Sequence, residues 1–373
     1  PRSTLFPYTT LFRSVLLAGR NHDAAALKTE LHRFGDSLIV GTGAEKSRIH
    51  IHTNAPEDLL SLLRTKGGVL NQKVDDMKRQ YQAAHDRISD TAIVTDSIAD
   101  IPPDLMERYQ IHVVPQRILW EGEVYLDRLT MTGKTFYPLL DVRKEYPTSS
   151  LPDPASVTAA FSFLAAHYKA IVALPVSSGV SGTWQAMVKA AEPMRQAGFR
   201  IAVVDTLQNS AAQGLLVLEA AKAAARGESF ENIVRLAETE RKRVKIYVSV
   251  DDFKYMVRGG RVSRFAGIAA TLLRLKPIIT LDEKGRGARF DKAFSQKSLS
   301  RKIAGIVRRT REERGLRSYA VVHAGAPDRA AEFAAMLEEA TGMSCEYVME
   351  ISPVVGMNAG IGSVAVAVRE GRD

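Results

Sequence analysis

The residues best suited to chemistry lie in one short stretch, LPVSSGVSGTW, at 174–184. It holds Ser177, Ser178, Ser181 and Thr183, spaced by Gly179 and Gly182. The apolar run 170–176 before it reads as a short buried strand, and 184–191 after it reads as a helix. A strand, a small-residue loop and a helix start place hydroxyls beside the free N–H groups of a first helical turn. The two glycines let the backbone come close to a ligand. No Lys, Asp or His stands among the serines. The loop therefore suits gripping a carboxylate or phosphate better than reacting with it. A plain N-cap and tight turn accounts for the same residues.

Other clusters qualify beside it. Asp96, Ser97 and Asp100 follow the apolar segment from 91; they either line a site beyond a strand end or cap the helix at 103–109. Thr148, Ser149 and Ser150 lie between Pro147 and Pro152, in an extended, stiff segment that offers a second row of hydroxyls. Arg258, Arg261 and Arg264 surround a break at Gly259 and Gly260. They suit a phosphate or a partner's carboxylate, or are solvated charge at a helix end. Asn358 stands between Gly356 and Gly360 in a tail read as a flexible loop. His50 and His52, two apart on a strand, face one side. Without a third ligand nearby they read as a surface ladder, and no metal site is expected.

The elements that must position these residues follow from periodicity. From 91 to 245 strands alternate with helices, which implies a parallel sheet with helices on both faces. A further α/β section occupies 246–373. A small α+β unit occupies 15–88: a helix at 24–34, a strand and turn at 35–43, a strand ending in a Pro turn at 48–56, and a helix at 57–65. Residues 1–14, PRSTLFPYTTLFRS, lack periodicity and resemble a translated sequencing adapter, so they are set aside. Residues 80–90 read as a helix or linker.

The chain has 373 residues, 45% hydrophobic and 25% charged, enough for two or three domains with sizeable cores. Its net charge of +9 is spread out, with no nucleic-acid-binding motif, so no nucleic-acid partner is expected. The single cysteine, Cys345, excludes a disulfide framework and suits a reducing cytoplasm. No apolar run approaches the roughly 20 residues of a spanning helix, so no integral membrane segment is expected.

Two families resemble this chain. GDSLIV, IHIHTNAPEDLL and VDDMKRQ are similar to the region after the kinase domain of dihydroxyacetone-kinase-like (DAK2-type) proteins, which include the kinase subunit of bacterial fatty acid kinase. Over 91–369 the chain resembles the DegV family through seven motifs in order: VTDSIADIP, YPTSSLPDP, SSGVSGTW, VDT, MVRGGRVSRFAG, LKPIIT and SPVVGMNAGIGS. That resemblance implies a DegV-like two-domain α/β fold, with subdomains at 91–245 and 246–373. It implies a long-chain fatty acid held in a buried tunnel and offered to a DAK2-type kinase, fused upstream or in trans. The chain itself is then a lipid-binding module, with no catalytic residue and no cofactor beyond its bound fatty acid. The family's carboxylate grip maps onto Thr148 and Ser181, with Ser149 and Ser178 beside them. Asn358 stands where the family usually has His, and Ser150 where it usually has Gln. Asn cannot become a cation, which leaves the tail contact altered.

Such a grip uses neutral hydroxyls and helix-terminal N–H groups and needs no lysine. The acyl chain would be held by burial at about 0.8 kcal/mol per CH₂, on the order of 10 kcal/mol for sixteen carbons before ordering costs. The expected lining is 268–275 with parts of 215–218. Arg258, Arg261 and Arg264 are expected to face the kinase. The alternative is a phosphotransfer enzyme, or a carrier acting on another small carboxylate or phosphate.

Overall fold

The structure is a computed structural model that describes residues 11–19, 22–260 and 276–372. The N-terminal unit contains β1 (Leu11–Ala18), β2 (Asp36–Thr42), β3 (Lys46–His52) and β4 (Val69–Asp76). They form an antiparallel sheet in the order β2-β3-β1-β4. Strict alternation along β3 buries Ile49 and Ile51 with leucines of α1 (Ala24–Leu31) and α2 (Pro56–Lys66). The same alternation turns His50 and His52 to the opposite face. The expected boundary at Val15 falls inside a strand, since the backbone of β1 pairs from Leu11 onward.

The segment read as a helix or linker is a packed helix, α3 (Met77–His85). Ala83 is buried in the core of the following unit. Arg79 donates to the Glu107 carboxylate at 3.1 Å and to the Met106 carbonyl at 3.0 Å. Those acceptors lie on α4 (Pro103–Arg108). The N-terminal unit also docks through α2. Glu57 accepts from the Thr132 N–H and hydroxyl at 2.8 and 2.7 Å, and Arg64 stacks 3.9 Å over the Tyr125 ring while donating to Glu123 at 3.1 Å.

The next unit holds β5 (Thr91–Asp96), β6 (His112–Val114), β10 (Ala170–Ala173) and β11 (Arg200–Val203). They pair in parallel in the order β11-β10-β5-β6, as the alternation of strands and helices implies. Every residue of β5 and β10 is buried, the pattern of a sheet covered on both faces. One face carries α6 (Pro154–His167) and α7 (Thr183–Gln196); the other carries α8 (Ser210–Ala225) and α9 (Phe230–Glu240). Between them in sequence, β7 (Arg117–Trp120), β8 (Glu123–Leu126) and β9 (Thr148–Ser150) make a small antiparallel sheet, backed by α5 (Gly133–Leu140).

The last unit is a six-stranded sheet of β12 (Val244–Ser249), β13 (Lys276–Leu281), β14 (Gly287–Ala293), β15 (Leu316–His323), β16 (Val348–Glu350) and β17 (Val364–Glu370). Its order is β14-β13-β12-β17-β15-β16, antiparallel except for the β15–β16 pair. Period-two alternation divides its side chains between two cores. Ala320, Val322, Ala365 and Ala367 face α8, while Val321, Val364, Val366 and Val368 face α11 (Gln296–Arg314) and α12 (Pro327–Thr341). Alanines on both sides let α8 lie close between the two sheets. It is a core helix, so Leu215–Leu218 pack in protein rather than line a tunnel. Residues 268–275 lie outside the described residues.

The run 111–120 is two strands in different sheets, and one reading of the tail is corrected. Pro115 has no N–H for a ladder, so β6 ends there and β7 starts in the small sheet. The tail around Asn358, expected as a flexible loop, is a helix, α13 (Pro353–Ala359). Ser352 caps it by accepting from the Val355 N–H at 3.3 Å, Pro353 opens it, and Gly360 ends it at φ 84°. The hairpin strand β14 and the short β16 were not foreseen.

Candidate functional site

The described residues enclose a cavity of about 500 Å³ at the C-terminal ends of the parallel strands. That volume falls within the roughly 300–1,000 Å³ of small-molecule sites. Its floor is the inner face of the six-stranded sheet, with Ile246, Val248, Ile279, Leu281 and Val322. The serine loop, β9 and the Ser352–Ala359 turn of α13 close the other sides. Among the described lining residues there is no Lys, Arg, Asp or Glu. The polar lining includes Gln116, Ser149, Ser150, Ser181, Asn209, His323, Asn358 and Ser363.

The serine loop divides its work. Ser177 points away from the cavity: its hydroxyl donates to the Gly285 carbonyl at 2.8 Å and accepts from the Gly179 N–H at 3.1 Å. This clamps the loop to the β13–β14 turn. The approach demands glycine at 285, whose φ is +68° and where a Cβ would come 2.0 Å from the Ser177 oxygen. The Ser178 N–H donates to Asp205 at 3.1 Å, and those of Val180 and Ser181 donate to the Ser177 carbonyl at 3.2 and 3.1 Å. The expected array of backbone donors is therefore largely turned inward. Ser181 stands on the border, lining both the cavity and an adjoining surface groove, whereas Ser178 lines only that groove, with Lys189. Among the described residues no imidazole or carboxylate accepts from Ser177 or Ser181, so neither serine has a general base.

In the second hydroxyl row, Ser149 and Ser150 line the cavity, and Thr148 is exposed outside it. Asn358 lines the cavity from α13, with Nδ2 donating to the Val354 carbonyl at 3.0 Å. Its Oδ1 is buried without a hydrogen-bond partner among the described residues, against Gly259. The structure thus brings Ser149, Ser181 and Asn358 to one cavity and leaves Thr148 and Ser178 out of it.

Arg258, on α10 (Lys254–Arg258), is exposed, 3.8 Å from Asp141 and stacked 4.3 Å over Tyr146. Arg261 and Arg264 lie outside the described residues. His50 and His52 stand with ring centroids 5.4 Å apart, and burial together with His52 lowers the pKa of His50. Among the described residues no group of three His, Cys, Asp or Glu side chains could hold a metal.

Asp96, Ser97 and Asp100 neither line the cavity nor cap α4. With Asp127 and Arg128 they form a buried network behind its wall. Asp96 accepts from the Val176 and Ile98 N–H groups at 2.8 and 3.0 Å. Asp127 accepts from the Ser97 hydroxyl at 2.6 Å and from the Val354 N–H at 3.2 Å. Asp100 accepts from Arg128, from the Ser210 hydroxyl and, at 2.9 Å, from the Ser352 N–H. Burial pushes Asp96 up to about 6 and Asp127 up to about 7, and raises Asp100 against the pull of Arg128. The network ties the strand ends to the start of α13, the cavity's lid.

Two residues overlooked in the sequence complete the wall. Gln116 is 2% exposed and faces the cavity. His323, at the end of β15, accepts the Ala326 N–H on Nδ1 at 3.2 Å, which leaves its proton on Nε2. Burial lowers its pKa, so it serves as a neutral donor. The signal for both was a polar side chain inside an apolar strand run, in VVPQRIL and AVVHAG.

The family model described as an uncharacterised protein of the DegV family matches residues 90–371. The model for the FakA-like middle domain of fatty acid kinases matches residues 6–84. A DegV domain-containing protein of Clostridium acetobutylicum is 30% identical over 278 residues, covering 74% of this chain and 98% of its own length. Protein DegV of Bacillus subtilis is 30% identical over 276 residues, covering 74% and 97%. The crystal structure of that DegV, titled a fatty acid binding protein, matches with a TM-score of 0.69 at 28% identity, over 76% of this chain and 99% of the other. A structure titled for fatty acid binding of a DegV family protein from Thermus thermophilus matches at 0.69 with 26% identity, over 75% and 99%.

Proposed function

The chain belongs to the DegV family, and we propose that it binds a long-chain fatty acid in the 500 Å³ cavity with the carboxylate at Ser181 and Ser149. The observation that carries this reading is the lining itself: an apolar floor, a cluster of neutral hydroxyl and amide groups, and no charged side chain among the described residues. An acyl chain gains from the floor, and a single carboxylate is held by donors that do not trap it as a fixed ion pair would. Ser149 takes the place of Thr148, because Thr148 is exposed outside the cavity that Ser149 and Ser150 line. The fatty acid titles of the two solved relatives support the ligand class.

The proposed role is that of a cytoplasmic carrier that offers the acyl carboxylate to a DAK2-type kinase. The support is the N-terminal unit, similar to the FakA-like middle domain of fatty acid kinases and docked through Arg64 on the sheet that contains β9 and through Glu57 on the start of α5. Arg258 supplies an exposed cation for the approaching partner. It adjoins the cavity wall through Gly259, where a Cβ would come 2.3 Å from Asn358 Oδ1.

The test is mass spectrometry of lipid extracted from the purified protein, followed by titration with a fluorescent fatty acid. A stoichiometric acyl chain and about a tenfold loss of affinity in Ser181→Ala are expected. A protein that arrives empty and takes up no added fatty acid overturns the reading.

A further inference from the structure

We propose that Gln116 fixes the direction in which the Ser181 hydroxyl donates, and so makes the cavity selective for an acceptor-only head group. This rests on the fatty-acid reading above.

The backbone of Gln116 is held on both sides. Its N–H donates to Ser97 Oγ at 3.0 Å, and its carbonyl accepts the Asp127 N–H at 3.0 Å. Ser97 donates in turn to Asp127 at 2.6 Å. Held this way, Gln116 directs its Nε2 to Thr183 Oγ1 at 2.8 Å. Thr183 is fully buried. Its Oγ1 lies 2.8 Å from Ser181 Oγ, and its own N–H reaches the same oxygen at 3.3 Å.

The protons can then be assigned. Gln116 Nε2 has only hydrogens to give, so Thr183 Oγ1 accepts there. The Thr183 proton needs an acceptor in a site without water contact, and among the described residues that acceptor is Ser181 Oγ. Ser181 Oγ therefore accepts twice, from the Thr183 hydroxyl and from the Thr183 N–H, which fills both of its lone pairs. Its own proton is left for the space that Ser181 borders, the cavity and the adjoining groove. The order of donation is Gln116 amide, Thr183 hydroxyl, Ser181 hydroxyl, ligand. Each bond polarises the next, so the last donor is stronger than an isolated serine. A carboxylate, which only accepts, matches that end. An ammonium, which only donates, does not.

Reversing the first link should reverse the last. In Gln116→Glu the carboxylate takes the Thr183 proton, Thr183 takes the Ser181 proton, and Ser181 shows lone pairs to the cavity. In Gln116→Met, of similar volume, the relay has no fixed direction. Thr183→Val breaks the same path from the other end. Thr183→Ser keeps it.

The experiment titrates the full chain with palmitate and with hexadecylamine. Gln116→Met and Thr183→Val are expected to weaken palmitate about tenfold, and Gln116→Glu more than that. Gln116→Glu is expected to gain affinity for the amine, and Thr183→Ser to stay within about twofold of wild type. On a Ser181→Ala background Gln116→Met should cost nothing further, because Gln116 acts through that hydroxyl. A structural role would instead give additive losses and weaken both ligands alike, and that result overturns the proposal. So does palmitate binding by Gln116→Met equal to wild type. Failure of the wild-type protein to bind palmitate overturns the fatty-acid reading itself and is recognised before any variant is made.

Discussion

Two polar clusters lie within a few residues of each other at the ends of the parallel strands, and they are built on opposite plans. Behind the cavity wall, Asp96, Asp100, Asp127 and Arg128 are ionisable, and every carboxylate is fully buried. All their bonds go to the protein itself. On the cavity side, Gln116, Ser149, Ser181 and His323 are neutral, and Ser181 keeps a donor in reserve. The first cluster fixes backbone. It holds Arg128 at φ +64° and Ser210 at φ +50°, left-handed conformations of order 1–3 kcal/mol each for a residue with a side chain. It also receives the first N–H groups of α13. The second cluster meets the ligand. The difference separates two needs: charge gives directional, strong anchoring where nothing enters, and neutral groups allow a charged head group to arrive and leave.

The sharpest way to break this contrast is to remove the cation from the sealed cluster. Arg128→Met leaves Asp100 and Asp127 buried with only neutral donors. A loss of about 3–5 kcal/mol of stability is expected, since an uncompensated buried charge costs more than the pair contributes. Urea denaturation at pH 7.5 measures it. An effect under about 1 kcal/mol would mean that the trio is not held by charge.

A second break uses pH. Asp96 and Asp127 titrate at about 6 and about 7 in the folded protein, against an ordinary 3.8, with burial as the largest cause. Between pH 4 and 7 the folded state keeps protons that the unfolded chain has lost. These two groups therefore make the protein less stable as pH rises through that window. Asp127→Asn removes one of them. The variant is expected to be weaker at pH 5, because a carboxamide has a single acceptor oxygen for the Ser97 and Val354 donors. Its urea midpoint should fall less than that of wild type between pH 5 and pH 7.5. An unchanged difference between the two pH values would place the titration elsewhere.

How much of this was legible beforehand follows the same division. Regular periodicity marked most helices and strands, and seven ordered motifs marked the family. The serine loop was visible as the site because its residue types are unusual together. Its internal economy was not: only the fold shows that Ser177 clamps Gly285 and Ser178 faces outward. In Thr148, Ser149 and Ser150 three hydroxyls in a row carry no phase, so nothing in the sequence says that Ser149 and Ser150 face in and Thr148 does not. The side chains of Asp127 and Arg128 meet partners 28 or more residues away and belong to no motif. Asn358 was misread for a physical reason. Four glycines from Gly356 to Gly371 suggest a loop, but Ser352, Pro353 and Gly360 are start and stop signals for one short helix.

That helix allows the finest comparison, between Ser181 and Asn358 on opposite walls of one cavity. Ser181 has its acceptors filled and a proton to give. Asn358 has one Nδ2 hydrogen engaged on the Val354 carbonyl, one turn back in α13, and its oxygen buried against Gly259. Its one remaining N–H is a weaker hold on a carboxylate than the directed Ser181 hydroxyl. Asn358→Ala is therefore expected to change fatty-acid affinity by less than about threefold, in either direction, while Ser181→Ala costs about tenfold. Titration of both variants with one fluorescent fatty acid decides it. Equal losses would show that the head group bridges the two walls, and that the amide turns its NH₂ to the ligand when the cavity is filled.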